Sequence, residues 1–450
     1  MNHRGLNSVY FVGIGGIGMS ALARYYHSQG ITVAGYDLTP SLLTKQLESE
    51  GMAIHYEDNP SLLPVQIDLV VFTPAVPKDL NELVELRRRG IPMMKRAEAL
   101  GAISKEHFTI AIAGTHGKTT TTAMVAHILK ENSVDMTAFI GGIANNFNSN
   151  LVLGHTHESV LVVEADEFDR SFLQLAPNIS IVNSIDADHL DIYGDRQHLV
   201  ESFNQFADLT TDIVIAKEGL AIRHCEAPRN DVRFGFALEN EYHIVNIRQH
   251  DGETDFHLEY QETNTPIHLK MAGTHNVLNA TAAFAAALEL GIDAEDIAKA
   301  LATFSGVKRR FDIRVKNEKY CYIDDYAHHP EEIKSCLSAI KASFPTKRVT
   351  LVFQPHLFTR TRDFMEDFAN VLAMADDLIL LDIYPAREQP IEGITSKALL
   401  DKINLKNKCL CPKEALLDTI AERKPELLVT MGAGNIDRFV EPLQNMISQW

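Results

Sequence analysis

Short apolar runs that end in glycine or an acid and pass directly into helical stretches recur along this chain, and they restrict its fold more than any other feature. Residues 9–18 (VYFVGIGGIG) lead into MSALARYYHSQG, whose Gly30 reads as a helix C-cap. Residues 31–37 (ITVAGYD) end in an acid, and residues 67–73 (IDLVVFT) run into Pro74. From Phe108 the pattern resumes with FTIAIAG, then residues 160–169 (VLVVEADEFD) and 179–191 (ISIVNSIDADHLD). From Phe311 it returns in YCYIDDY, RVTLVFQP, DLILLDIYP and ELLVTMGAG. Strands alternating with helices in this way imply α/β architecture, a parallel sheet with helices on both faces. Ligands of such sheets gather at the C-terminal strand ends. Residues 240–270 depart from the pattern: polar alternation predicts antiparallel strands with a turn at Asp251-Gly252, followed by an Ala-rich helix over 276–290. At roughly 150 residues per domain, 450 residues suit three domains, divided near 105 and 310 into 1–105, 106–310 and 311–450.

Composition removes several classes of function. The balance of 42 Lys+Arg against 60 Asp+Glu leaves a net charge of −18, which argues against nucleic acid, whose binders release counterions with cationic side chains. No apolar run approaches the roughly 18 to 20 residues that cross a bilayer, and the opening MNHRGLNSVYFVGIGG lacks a signal cleavage pattern, so a cytoplasmic protein without membrane contact is expected. Five cysteines (Cys225, Cys321, Cys336, Cys409, Cys411) with no Cys-x-x-Cys pair read as buried, inert thiols.

The chemistry concentrates in the segment Gly114, Thr115, His116, Gly117, Lys118, Thr119, Thr120, placed between an apolar strand and a helix. Backbone amides of such a loop cradle phosphates, Lys118 reaches the terminal phosphates of ATP, and the Thr119 hydroxyl suits Mg2+. The full P-loop pattern has a glycine where Ile112 stands here. Downstream, Glu164 and His189 follow two apolar strands, where both face the phosphates and complete a metal shell with Thr119. The first cluster, Gly13-x-Gly15-Gly16-x-Gly18 with Asp37 beyond it, fits a dinucleotide or the diphosphate of a sugar nucleotide. The motifs taken together thus suggest one diphosphate ligand in the first domain and ATP in the second.

The blocks AGTHGKTTT, EADEFDRSF, DADHLDIYG, AGTHNVLNA, RRFD, IDDYAHHPEE and FQPHLFTRTRD resemble, in this order, the Mur ligase family, and the likeness runs from the first glycine cluster to YPAREQPIEG. The resemblance implies three domains: an N-terminal Rossmann-like domain for UDP-N-acetylmuramate, a central P-loop ATPase-like domain with a mixed sheet, and a C-terminal Rossmann-like domain for the amino acid. The activity it implies is ATP-dependent joining of L-alanine to the lactyl carboxylate of UDP-N-acetylmuramate through an acyl phosphate, in peptidoglycan precursor synthesis. The alternative is the recycling ligation of a whole tripeptide to the same sugar nucleotide. Two rivals of other classes are a dinucleotide-dependent oxidoreductase and a nucleotide-gated binding protein without turnover.

By the same resemblance, Gly15, Gly16, Gly18, Asp37 and Thr73 belong to the UDP-sugar site. Lys118 and Thr119 handle ATP phosphates and metal with Glu164 and His189. His275, Asn276 and Asn279 lie at the adenine, whose N6 and N7 match an amide's donor and acceptor; Asn276 equally suits a helix N-cap. Arg310 comes to the transferring phosphoryl group, Asp325 meets the ATP ribose, and Tyr326, His328 and His329 lie near the reacting groups, with either histidine as general base. His356 and Arg360 contact the amino acid and the muramyl carboxylate, while Arg362 suits either that role or a solvated helix face. Two departures stand out. Leu357 occupies a position where alanine-adding enzymes often carry arginine, and residues 190–216 hold no lysine, so no carbamylated lysine is expected.

Overall fold

The computed structural model describes residues 5–186, 193, 195–225, 229–386 and 388–450. The apolar runs form three sheets. The first holds β1 (Ser8–Val12), β2 (Thr32–Tyr36), β3 (Ala53–His55), β4 (Leu69–Phe72) and β5 (Met93–Lys95) in the order β3-β2-β1-β4-β5, all parallel. The order reverses between β1 and β4, which opens a crevice beyond their carboxyl ends. Gly13 to Gly18 follow β1 there, and Thr73 follows β4.

The second sheet comprises β6 (Thr109–Ala113), β7 (Met136–Ala144), β8 (Ser149–Val152), β9 (Val160–Glu164), β10 (Ile179–Val182), β11 (Ile213–Lys217), β12 (Val232–Gly235), β13 (Tyr242–His250), β14 (Glu253–Tyr260) and β15 (Thr263–Leu269). Its order is β15-β14-β13-β12-β11-β10-β6-β9-β7-β8, with β7 and β8 antiparallel and the run from β7 to β13 parallel. Asp251 and Gly252 join β13 to β14 with φ of 47° and 82°, the double left-handed geometry of a tight hairpin. The third sheet holds β16 (Asp312–Lys316), β17 (Cys321–Asp325), β18 (Val349–Phe353), β19 (Asp377–Leu380), β20 (Lys408–Leu410) and β21 (Leu427–Met431) in the order β16-β17-β21-β18-β19-β20. Only its β16–β17 pair is antiparallel. The expected three-part α/β architecture with a mixed central sheet is what forms.

By density of contacts the chain divides into two compact units. One is Met1–Val245, His257–Ile267 and Leu278–Phe304; the other is Asn246–Phe256, His268–Val277 and Ser305–Trp450. Two strands are shorter than their apolar runs suggest. β9 ends at Glu164, and the rest of the acidic block turns through a 3-10 segment, Phe168–Gln174, with Asp169 and Arg170 at positive φ. β10 ends at Val182. In both, the polar residues past the apolar run leave the ladder to bond loop atoms. The acidic block is anchored by Phe172, which is fully buried, stacks on Phe206 at 5.0 Å and meets Phe203 edge-on at 5.2 Å. Burying such a ring contributes about 2 to 3 kcal/mol.

The cysteines are thiols outside any disulfide; Cys321, Cys336 and Cys411 are buried, but Cys225 and Cys409 are only half-buried, which corrects the expectation for those two. Cys225 lies in the loop between β11 and β12, and Cys409 on β20 at the edge of the third sheet, where fewer side chains cover them. Among the described residues no helix is long and apolar enough to cross a membrane.

The second unit carries a buried charge pair. Arg309 Nε lies 3.1 Å from Asp324 Oδ2, Thr430 Oγ1 donates to Asp324 Oδ1 at 2.6 Å, and Asp324 is fully buried. Burial raises the Asp324 pKa, and Arg309 opposes that rise. Removing the guanidinium leaves a buried carboxylate without its cation, so Arg309→Ala is expected to cost about 3 kcal/mol. Denaturant unfolding at pH 7 and pH 5 checks this: the deficit narrows at the lower pH, because a protonated Asp324 needs no counter-charge.

Candidate active site

The P-loop grows out of β6, every residue of which is buried. Gly114 and Gly117 have φ of 138° and 82°, and a Cβ on Gly117 would collide with the Asn279 side-chain oxygen and lie 3.1 Å from Asn183 Nδ2. Glycine is therefore required at 117 by both conformation and space. The helix Lys118–Glu131 starts there with no side-chain cap, which leaves its first amides to a ligand. Ser184 pins the loop: its Oγ lies 2.9 Å from Thr115 Oγ1 and accepts the His116 amide at 2.8 Å. Thr120 is buried in the first helical turn, and the half-exposed His116 ring lies 3.7 Å from Asp186.

Lys118 Nζ donates to Gly114 O at 2.7 Å and to both Glu167 oxygens at 2.7 and 3.0 Å. Burial works against the ammonium, but Glu167, Glu164 and Asp166 outweigh it and hold the pKa above the ordinary lysine value. Beside it, Thr119 Oγ1 donates to Glu164 Oε2 at 2.9 Å, and the Gly141 amide donates to the same oxygen at 3.0 Å. A hydroxyl and a carboxylate in contact form a hard-oxygen set of the kind magnesium takes. His189, the expected third ligand, lies outside the described residues. Among those that are described, no group of three or more His, Cys, Asp or Glu is placed to hold a metal.

In the same unit, the first glycine cluster is shaped by close approach. Asp37 Oδ2 accepts the Gly15 amide at 2.8 Å, and a Cβ on Gly15 would stand 2.8 Å from that oxygen and 2.7 Å from Thr44 Cγ2. Thr73 Cγ2 lies 2.8 Å from the Cβ position of Gly13. Gly16 is the N-cap of the helix Ile17–Ser28, again with no side-chain cap. Gly15, Gly16, Gly18, Asp37 and Thr73 therefore share one crevice, with Asp37 bracing the loop.

The remaining expected residues lie in the second unit. His275 packs against Gly273, and Asn276 Nδ2 donates to Ala272 O at 2.7 Å, which ties down the start of the helix Thr274–Glu289. Asp325 is committed to backbone: Oδ2 accepts the Phe311 amide at 2.6 Å and Oδ1 the Ala327 amide at 2.7 Å, and burial pushes its pKa up to about 6. It thus fixes the segments that carry Arg310 and Tyr326. Arg310 lies over the Tyr326 ring at 5.0 Å.

His328 Nδ1 faces Tyr326 O at 3.0 Å, and its ring meets His356 edge-on at 6.0 Å. Burial lowers the His328 pKa, with Arg360 adding to the effect and Glu332 opposing it. His329 packs edge-on against Phe364 at 4.6 Å. His356 stacks on Tyr384 at 5.7 Å, and burial first, then His328 and Arg360, lower its pKa to about 4. Its Nδ1 is buried with no hydrogen-bond partner among the described residues. Arg362 is exposed and paired with Asp363 at 2.7 Å, the geometry of a solvated helix residue. Leu357 has φ 70° and ψ 137°, a costly conformation for a branched side chain, held by its amide to Tyr384 O at 2.9 Å.

Several residues that shape these sites escaped the sequence reading. Glu167 and Asp166 sit inside the acidic block that yielded Glu164, yet nothing local says which cation each holds. Arg96, Asn183 and Ser184 belong to no sequence motif. The signal was density of acids in EADEFD, which foretells partners without naming them.

Comparison with known proteins gives the family. Residues 8–108 match the family model "Mur ligase family, catalytic domain", 112–287 match "Mur ligase middle domain", and 309–434 match "Mur ligase, glutamate ligase domain". A UDP-N-acetylmuramate--L-alanine ligase of Cytophaga hutchinsonii is 47% identical, with 100% of this chain and 98% of the relative covered. One from Flavobacterium psychrophilum is also 47% identical, with both chains covered completely. The solved UDP-N-acetylmuramate-alanine ligase of Thermotoga maritima superposes with a TM-score of 0.81 at 31% identity, covering 97% of this chain and 99% of its own. A murein peptide ligase of Psychrobacter arcticus, at 22% identity and a TM-score of 0.72 over 98% of this chain and 99% of its own, shares the fold. Three family models in sequence along the P-loop, its acidic neighbours and the third sheet make this chain a member of the Mur ligase family.

Proposed function

We propose that the protein joins L-alanine to the lactyl carboxylate of UDP-N-acetylmuramate with hydrolysis of ATP to ADP and phosphate, as a cytoplasmic step of peptidoglycan precursor synthesis. The observation that carries the reading is a charged Lys118 at an uncapped helix N-terminus, next in sequence to Thr119, whose hydroxyl donates to Glu164. Relatives bearing that ligase name at 47% identity over the whole chain support the choice of substrates. A MurF ligase of Thermotoga maritima was solved in complex with ADP, which supports the nucleotide. In this reading residues 1–105 take the sugar nucleotide, 106–310 the ATP and 311–450 the amino acid.

A carboxylate resists attack by an amine because its oxide is a poor leaving group. The lactyl carboxylate oxygen therefore attacks the γ-phosphorus of ATP, the bond to the β–γ bridging oxygen breaks, and ADP departs. The alanine amine then attacks the acyl carbon and phosphate leaves. Lys118 and the first amides of its helix stabilise charge on the phosphoryl oxygens, and Arg310 adds a second cation. Thr119 Oγ1 and Glu164, with His189, would hold Mg2+, which when bound neutralises phosphate charge. The amine must lose a proton before it attacks. Burial lowers the His328 pKa and so favours the neutral ring, which Tyr326 O orients through Nδ1, leaving Nε2 as the acceptor. His356, with its buried unpartnered Nδ1, is the position for the amino acid.

Lys118→Ala is expected to lower kcat by about a hundredfold or more, while the Kd for UDP-N-acetylmuramate stays within about twofold of wild type, since other residues hold the sugar. Rapid-quench turnover and calorimetric titration check the two halves; parallel loss of both would refute the assignment of separate binding regions.

An isotope experiment tests the intermediate. With heavy oxygen in the lactyl carboxylate and ATP, magnesium and alanine present, the label is expected in inorganic phosphate beside ADP. Label in AMP with release of pyrophosphate rejects the acyl phosphate even where the amide forms.

The histidines make a pH prediction. The His356 ring proton signals in an NMR titration should move near pH 4, against about 6.5 for an exposed histidine. Because the unfolded chain takes up this proton first, the residue's contribution to stability falls as pH drops through that window.

A further inference from the structure

We propose that Arg96 is a substrate-binding residue, held by Asp166 until the sugar nucleotide arrives and then transferred to its diphosphate; this rests on the substrate reading above. Arg96 opens the helix Arg96–Ser104 directly after β5. Its Nη1 lies 3.0 Å and its Cδ 3.2 Å from the Cβ position of Gly18, so the bare glycine lets the guanidinium pack closely on the first glycine cluster. On its other side, Nη2 donates to Asp166 Oδ2 at 3.0 Å. Arg96, Glu164 and Asp166 line one small cavity together with Phe172. The guanidinium thus bridges the first glycine cluster and the acidic block that follows β9.

The charge pattern explains why the arginine is parked. The acidic block holds three cations in the same unit: Lys118 on Glu167, Arg96 on Asp166, and Lys95 on Asp169 at 3.0 Å. The Lys118 pair is almost fully enclosed, but the Arg96 and Asp166 side chains are 23% and 36% exposed. An ion pair that open to water contributes little. A diphosphate carries more charge than a carboxylate and matches the guanidinium fork with paired oxygens, so it wins the exchange. Asp166, once released, remains solvated. Between substrates it neutralises Arg96.

The test is calorimetric titration of the full-length wild type and the Arg96→Ala, Arg96→Lys and Asp166→Asn variants with UDP-N-acetylmuramate, UDP and ADP. Arg96→Ala is expected to weaken UDP-N-acetylmuramate and UDP about tenfold or more and to leave ADP unchanged, which also reports that the variant is folded. Arg96→Lys should recover part of the loss, and if Arg96→Ala fails to bind ADP, the lysine variant decides the matter by the same measurements. Asp166→Asn should bind UDP at least as tightly as wild type, because the competing carboxylate is gone. Wild-type UDP affinity in Arg96→Ala overturns the proposal, as does equal weakening by Asp166→Asn, which would make the pair a brace. A loss confined to UDP-N-acetylmuramate overturns it in favour of the lactyl carboxylate as ligand. Failure of wild type to bind either uridine nucleotide sinks the substrate reading as well, which separates that failure from the others.

Discussion

The contact between Lys118 and Glu167 is the constraint around which the first unit is arranged. A lysine needed at a phosphate has to remain charged while buried, and an unpaired ammonium there would lose its proton. Glu167 prevents that, and the rest of the acidic block follows from the need to place this carboxylate. Phe172, locked between Phe203 and Phe206, fixes the 3-10 segment. Tyr193 donates to Glu167 O at 2.5 Å and holds the backbone. Asp169 and Arg170 accept unfavourable φ values where the chain kinks within the 3-10 segment.

Glutamate 164 works with the same segment in a different way. Its oxygen collects the Thr119 hydroxyl and the Gly141 amide, which brings the ends of β9 and β7 against the first turn of the P-loop helix. A Cβ on Gly141 would collide with that carboxylate, so the absence of a side chain on β7 is part of the site. Parallel strands deliver these residues because their carboxyl ends point the same way, and the crossover helices begin there with free amides.

The second unit uses carboxylates to hold backbone. Asp324 and Asp325 are consecutive on β17, yet one is paired with Arg309 and the other receives two amides. Alternation along the strand sends them to opposite faces, so a single dipeptide braces both the arginine pair and the loop of Tyr326 and His328. Burial lowers the pKa of both His328 and His356, which suits rings that accept protons or meet a ligand.

What the sequence determined was local. An apolar strand, two glycines at fixed spacing and a Lys-Thr pair specify a phosphate loop wherever they occur, because strand, turn and helix are set by near neighbours. The hairpin at Asp251-Gly252 was legible for the same reason. Strand ends were less so: β9 and β10 stop where side chains leave the ladder for loop partners, which a run of letters does not reveal. The order of strands and the pairing of charges belonged to the tertiary structure. Lys118 meets Glu167 across 49 residues and Arg96 meets Asp166 across 70, and several acids in EADEFD were available to either cation. Their choice depends on sheet order and on the ring packing that aims each carboxylate, because electrostatic attraction selects the group that geometry brings within reach.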